Sequence, residues 1–202
     1  MIGLIYKDIK TALLQYKIIL ILLALYFGYS FMKMDLGFFT SMEPVLTMVL
    51  VMLTFGYDER SGWDKIACTI PYGRDKIVIS RYFYSLLVVT VLAVLHLCVS
   101  IILKATWAQI ADSLLLASSL SFTFMGLMFP VFYKFGSEKS RMVFLILFIG
   151  MMLASSLIGD GANSVNLELF LNYKGLWLLI ALMIFCVSAW ISCLIYRRKQ
   201  FN

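Results

Sequence analysis

Charged residues divide the chain into six uncharged stretches: 18–32, 44–57, 82–103, 113–133, 142–159 and 175–196. An α-helix rises 1.5 Å per residue, so crossing about 30 Å of hydrocarbon takes roughly 20 residues. The last four stretches meet that length or nearly so. The first two are short only if their flanking charges are excluded from the helix ends. Lys17 and Lys33 have side chains long enough to snorkel to the headgroups. Glu43 is expected in the first turn of its helix, just before Pro44, where the helix dipole favours an anion and proline is tolerated. The pattern therefore predicts an all-α integral membrane fold with six transmembrane helices, over about 17–34, 40–57, 81–103, 112–133, 141–159 and 175–196. The stretches do not alternate with a period of two, which excludes barrel strands as the spans.

Composition points the same way. The 202 residues are 62% hydrophobic and 14% charged, against about 45–50% apolar and about 25% charged for a soluble domain. An ordinary globular domain and a disordered chain are both excluded, and the length fits one domain over 1–202. The net charge of +6 is explained by where the cations sit. With the N-terminus inside, Lys7, Lys10, Lys17, Arg60, Lys65, Arg74, Lys76, Arg81, Lys134, Lys139, Arg141, Arg197, Arg198 and Lys199 face the cytoplasm. Lys33, Lys104 and Lys174 face out. This bias predicts a multi-pass membrane protein with both termini cytoplasmic, and it leaves nothing that calls for nucleic acid. No A-x-A-like site follows the first span, so no cleaved signal peptide is expected. Of the four cysteines, Cys68 falls inside and Cys98, Cys186 and Cys193 fall within spans, so no disulfide and no metal site are expected.

The predicted outer loops are too short to hold a domain. The information lies on the inner side. Nine of the 28 charges fall between Asp58 and Arg81, in a loop (58–80) far longer than neighbouring helices need. Trp63, Ile66, Ala67 and Ile70 share one helical face, and Pro71 and Gly73 then stop the helix. A second helix is expected to start near Arg74 and lead into span three. The mixture of both signs suits a protein–protein contact better than topology alone. At the N-terminus, Ile2, Ile5, Ile9, Leu13 and Tyr16 form one stripe, which predicts an interfacial amphipathic helix over 1–16.

The chemical inventory is sparse. The uncharged stretches contain one titratable imidazole, His96, and no H-E-x-x-H, G-x-S-x-G or P-loop accompanies it. His96 is expected to be satisfied by a neighbouring helix, with a substrate contact as the other reading. Intramembrane ionisable groups mark ion and proton pathways, so their scarcity argues against a proton- or sodium-coupled carrier and for an apolar or amphipathic cargo. Gly150, Ala154, Ser155 and Gly159 are small residues that permit close helix approach in span five, within one subunit or across a dimer. Gly126 and Pro130 are expected to bend span four.

Three stretches resemble the ABC type-2 exporter permeases, in particular the compact six-span bacterial group. Leu4-Ile5-Tyr6-Lys7-Asp8-Ile9 is similar to that family's amphipathic start with its Lys-Asp pair. Tyr57-Asp58-Glu59-Arg60-Ser61-Gly62-Trp63 resembles its Asp-Glu-x-x-Gly-Trp segment after span two. Ile70 to Tyr82 resembles its Leu-Pro-x-x-Arg-x-x-Ile-Val-x-x-(Arg/Lys)-Tyr run, departing at Tyr72-Gly73. The resemblance implies a non-enzymatic transport subunit that pairs with a second permease, identical or homologous, and docks on ABC ATPase subunits. It assigns the ATPase-coupling role by position to Asp58, Glu59, Arg60, Trp63, Pro71, Arg74, Asp75 and Lys76, and dimer contacts to Gly150, Ala154, Ser155 and Gly159. ATP and Mg would be bound by the partner ATPase, and this chain would carry no cofactor. The expected activity is export of an amphipathic peptide, bacteriocin-like toxin or lipid-like molecule. A carrier or channel working without an ATPase is the alternative; a membrane enzyme centred on His96 and a toxin-sequestering immunity protein stand further off.

Overall fold

The computed structural model describes residues 2–14, 36–63, 73–159 and 174–198, with isolated positions between 17 and 28; over 150–159 it describes the helical backbone alone. Among the described residues the regular structure is helical: α1 Ile2–Leu14, α2 Leu36–Ser61, α3 Arg74–Ile102, α4 Trp107–Gly159 and α5 Lys174–Arg198. Four of these contain stretches long and apolar enough to cross a bilayer: Thr40–Ser61, Arg74–Ile102, Trp107–Ile146 and Gly175–Arg198. The predicted first span, the helix expected over 64–70 and the loop at 160–173 lie outside the described residues.

α3 begins where the Pro71-Gly73 signal places it. Gly73 stands just ahead of it at φ 71°, ψ 139°, a left-handed backbone that glycine adopts without penalty. α3 ends at a turn in which the Ala105 amide donates to the Ser100 carbonyl at 3.1 Å. Thr106 and Gln109 then form a reciprocal cap. The Thr106 amide donates to Gln109 Oε1 at 3.0 Å, and the Gln109 amide donates to Thr106 Oγ1 at 3.5 Å. This capping box starts α4 at Trp107, earlier than the predicted span at 112. α4 is broken at Gly136, whose φ of 82° and ψ of 175° are not helical. It therefore consists of a first arm, 107–135, and a second arm, 137–159, which correspond to the predicted spans four and five.

α2 corrects one expectation. The described helix already runs from Leu36, ahead of 40, so Glu43 is not in its first turn and Pro44 lies within it. In hydrocarbon an unpaired backbone group costs several kcal/mol, so a helix continues through a proline that would end it in water. Glu43 consequently gains no stabilisation from the helix start, and a side chain from another helix replaces it.

The polar groups face inward and the apolar ones outward, as a lipid solvent requires. On α3, Ser80, Arg81, Ser85, His96 and Ser100 are buried, while Phe83, Leu87, Val91, Val94 and Ile101 are exposed. Most buried hydroxyls donate to a carbonyl one turn back on their own helix, among them Ser85, Ser100 and Ser121. Tyr82 instead spans two helices, with its hydroxyl 2.8 Å from Ser188 Oγ and 2.9 Å from Ser192 Oγ on α5. Around it lies an aromatic cluster in which the Tyr82 and Phe129 centroids are 4.4 Å apart and those of Tyr82 and Phe185 are 4.9 Å apart.

α4 packs most extensively on α5, and Gly126 sets the separation. A Cβ there would come within 2.9 Å of Ile184 Cγ2 and 3.4 Å of the backbone at Ile184 and Phe185. The sequence suggested a bend at this glycine; what the structure shows is close helix approach. Gly126→Val is expected to overpack this crossing and cost about 1–3 kcal/mol. A lowered melting midpoint of the detergent-purified protein would show it, and an unchanged midpoint would refute the close-packing role.

Candidate functional site

The end of α2 meets α1, the start of α3, the break in α4 and the end of α5 at one end of the bundle, here called the basic end. Its centre is a buried ion network. Lys7 Nζ donates to Asp58 Oδ2 at 2.6 Å and lies 3.1 Å from Asp8 Oδ1. Arg81 pairs with the same Asp58 oxygen and lies 4.0 Å from Asp8 Oδ1. Two cations thus face two carboxylates, and the set is neutral. Asp8, Asp58 and Arg81 are each at most 4% exposed. Removing ions from water costs several kcal/mol apiece unless they are paired, so the pairing is what allows these groups inside.

Aromatic rings close the network on two sides. Lys7 Nζ sits 4.6 Å from the centroid of the Trp63 ring, and the Arg81 guanidinium 4.3 Å from that of Phe55. Both are cation–π distances. α1 fits this arrangement by turning Asp8 and Thr11 inward while Tyr6, Leu13 and Leu14 remain exposed.

Glu59 follows Asp58 and points elsewhere, because successive helical residues are about 100° apart around the axis. Its Oε2 accepts from the Ser137 amide at 2.6 Å and from the Ser137 hydroxyl. The carboxylate therefore caps the second arm of α4 from outside, where the helix dipole favours an anion. One turn back, Gly56 lies so close to Arg141 that a Cβ would stand 2.8 Å from its Nη2. At the start of α3, Asp75 accepts from Arg197 of α5 through both oxygens, at 2.7 and 2.5 Å, and Arg74 donates to the Arg197 carbonyl at 2.7 Å.

The residues singled out from the sequence thus fall into different settings. Asp58, Glu59 and Trp63 have partners within the chain. Asp75 is paired with Arg197. Arg60, Arg74 and Lys76 are exposed. Pro71 lies outside the described residues, as do the side chains of Ala154 and Ser155; Gly150 and Gly159 lie on the helical backbone of the second arm. Sequence reasoning did not anticipate Lys7, Asp8, Arg81, Ser137 and Arg197 as the partners. A signal for three of them was present: Lys7-Asp8, Asp58 and Arg81 come one from each of the three family-like stretches, and the fold brings those stretches into a single contact.

A family model for ABC-2 family transporter proteins matches residues 3–197. The chain belongs to the ABC-2 transporter membrane family. No curated protein and no solved structure gives a match. Membership and the four apolar helices make it a multi-pass membrane protein and a permease subunit, and the family implies association with an ABC ATPase.

This ABC-2 permease holds a second polar cluster, toward the opposite end of the bundle. His96 Nδ1 is 2.7 Å from Glu43 Oε2, and His96 Nε2 is 3.1 Å from Ser113 Oγ. His96 is wholly buried and Glu43 is 2% exposed. The Ser113 hydroxyl also lies 3.0 Å from the Ile110 carbonyl, to which it donates. With that proton committed, the hydrogen shared with Ser113 belongs to His96 Nε2. The order carboxylate, imidazole, hydroxyl has the connectivity of a hydrolytic triad. Its chemistry differs: a nucleophile needs a substrate carbonyl beside it, and here the imidazole is sealed and the hydroxyl occupied by its own helix. What the arrangement does is brace α2, α3 and α4 together. The neighbour expected for His96 is therefore Glu43, a residue the sequence had placed at a helix start. Among the described residues, no group of three or more His, Cys, Asp and Glu side chains is arranged to hold a metal ion.

Proposed function

We propose that this chain is the permease of an ATP-driven exporter. It pairs with a second permease and is worked by separate ATPase subunits, which bind the ATP and Mg. The basic end faces the cytosol, and the cargo is amphipathic or apolar: a peptide, a bacteriocin-like toxin or a lipid-like molecule. The observation that carries this reading is the ion network joining α1, the end of α2 and the start of α3. It makes a stiff frame of the elements on either side of the 58–76 loop, and a push on a stiff frame moves the helices behind it. Within the loop the roles divide. Asp58 and Trp63 hold the frame, while exposed Arg60, Arg74 and Lys76 supply the surface that an ATPase touches.

Reversing Arg60 and Lys76 together to Glu tests this. Both side chains are exposed, so the protein should insert and melt as before. ATPase co-purification should fall at least several-fold, as expected for like charges brought into an interface. Full ATPase recovery with the doubly reversed chain would refute the docking surface.

The Glu43–His96 pair favours a second reading, a carrier that works without an ATPase, because intramembrane ionisable groups mark ion pathways. Cargo movement along a gradient by the purified permease alone would establish it.

A further inference from the structure

The frame at the basic end accounts for α1, α2 and α3 but leaves Glu59 unused. Its carboxylate is the only described side-chain group bonded to the Ser137 amide, the first residue past the Gly136 break. The site is built for that contact. Gly136 has φ 82°, and a Cβ there would meet Glu59 Oε1 at 2.9 Å. The break and the absent side chain together let the carboxylate reach the start of the second arm. Behind it the Ser140 hydroxyl donates to the Gly136 carbonyl at 2.5 Å, which fixes the first turn of that arm. Arg141, one residue on, crosses α2 at Gly56. The last two turns of α2 thus meet the second arm at two levels.

The break itself is a hinge by chemistry. A non-helical glycine interrupts the ladder of backbone hydrogen bonds, so the two arms are not bound to move as one rigid helix. A helix that pivots at one end follows whatever holds its first turn.

We propose that Glu59 is a positioning residue that carries the movement of α2 into the second arm of α4. A push on the loop after α2 then reaches two places: α3 through Asp58 and Arg81, and the second arm through Glu59 and Ser137. This inference rests on the ATPase-driven reading above, and it assigns Glu59 to transmission within the chain and not to contact with the partner.

The test uses the intact complex of permease and ATPase in lipid nanodiscs, with nitroxide labels at Leu145 on the second arm and Leu87 on α3, both exposed positions. The label–label distance is read by pulsed electron resonance with and without ATP and vanadate. The parent complex should show a nucleotide-dependent change in distance. Glu59→Ala should abolish that change while ATPase co-purification stays at the parent level. Glu59→Gln, which still presents an oxygen acceptor to the Ser137 amide, should restore it. Gly136→Ala, which stiffens the hinge and crowds the carboxylate, should abolish it independently. A full change in Glu59→Ala would overturn the proposal, as would ATPase loss in that variant, since Glu59 would then be a docking residue. An unmoved second arm in the parent complex, with ATPase bound, would also overturn it. Failure of the parent chain to co-purify with any ATPase would instead remove the ATPase-driven reading, and this inference with it.

Discussion

Arg81→Met should leave the permease markedly less stable than any surface substitution does. The change removes the buried cation of the network and strands the carboxylates of Asp8 and Asp58 with half-buried Lys7 as their only described counter-ion. Breaking a buried ion pair from one side costs about 3–5 kcal/mol. For a chain of this size that corresponds to a melting midpoint lowered by roughly 10 °C. Arg81→Met combined with Asp58→Leu should recover most of the loss, because Lys7 and Asp8 then remain as a balanced pair. With Asp58→Leu alone as the fourth protein, melting of the parent, the two single variants and the double variant in one detergent forms a double-mutant cycle. A double variant destabilised by the sum of the two single changes would show that Asp58 and Arg81 are not coupled. The cycle also reports on function: if the network is the frame that moves with the ATPase, Arg81→Met should lower nucleotide hydrolysis by the complex more than its loss of folded protein explains.

His96→Leu should have the second large effect. It leaves Glu43 buried with no described side-chain partner, and a carboxylate within a transmembrane helix costs about 2.5–3.5 kcal/mol. Glu43→Gln should be milder, because an amide still meets the imidazole and brings no charge. Glu43→Leu with His96→Leu should approach parent stability, since three helices then meet through apolar contacts alone. Yield of monodisperse protein and thermal melting both read these differences. The double variant also separates the two functional readings. ATP-driven export predicts that it keeps ATP hydrolysis by the complex, whereas an ion-coupled carrier predicts loss of transport in a stable protein.

Much of this architecture could be read along the chain, and particular residues show where reading stopped. The start of α3 was legible because Pro71 and Gly73 stop a helix by local chemistry alone. The four described spans were legible because hydrocarbon demands long uncharged runs. The capping pair Thr106 and Gln109 was equally local; its spacing marks a helix start at Trp107, and the charge at Asp112 masked it. Glu43 was misplaced because Pro44 ends helices in water but not in lipid. The partners of Asp58, which is buried, and of Glu59, which stays exposed, were not legible in any window. Adjacent charges in a polar loop look unpartnered, and what holds them is Lys7 fifty-one positions away in one case and Ser137 seventy-eight away in the other. Gly136 had only a local signature, a glycine among charges between two apolar runs, and its backbone angles disclosed the break.

The bond between Arg197 and Asp75 has a practical corollary. It sets the last turn of α5 beside the first turn of α3, so anything fused after Arg198 emerges next to the rim formed by Arg74 and Lys76. Under the ATPase-driven reading proposed above, an affinity handle or fluorescent protein placed there would compete for space with the motor subunit and imitate a coupling defect. The tight turn at Lys104 and Ala105, at the far end of the bundle, is the better attachment point for a reporter.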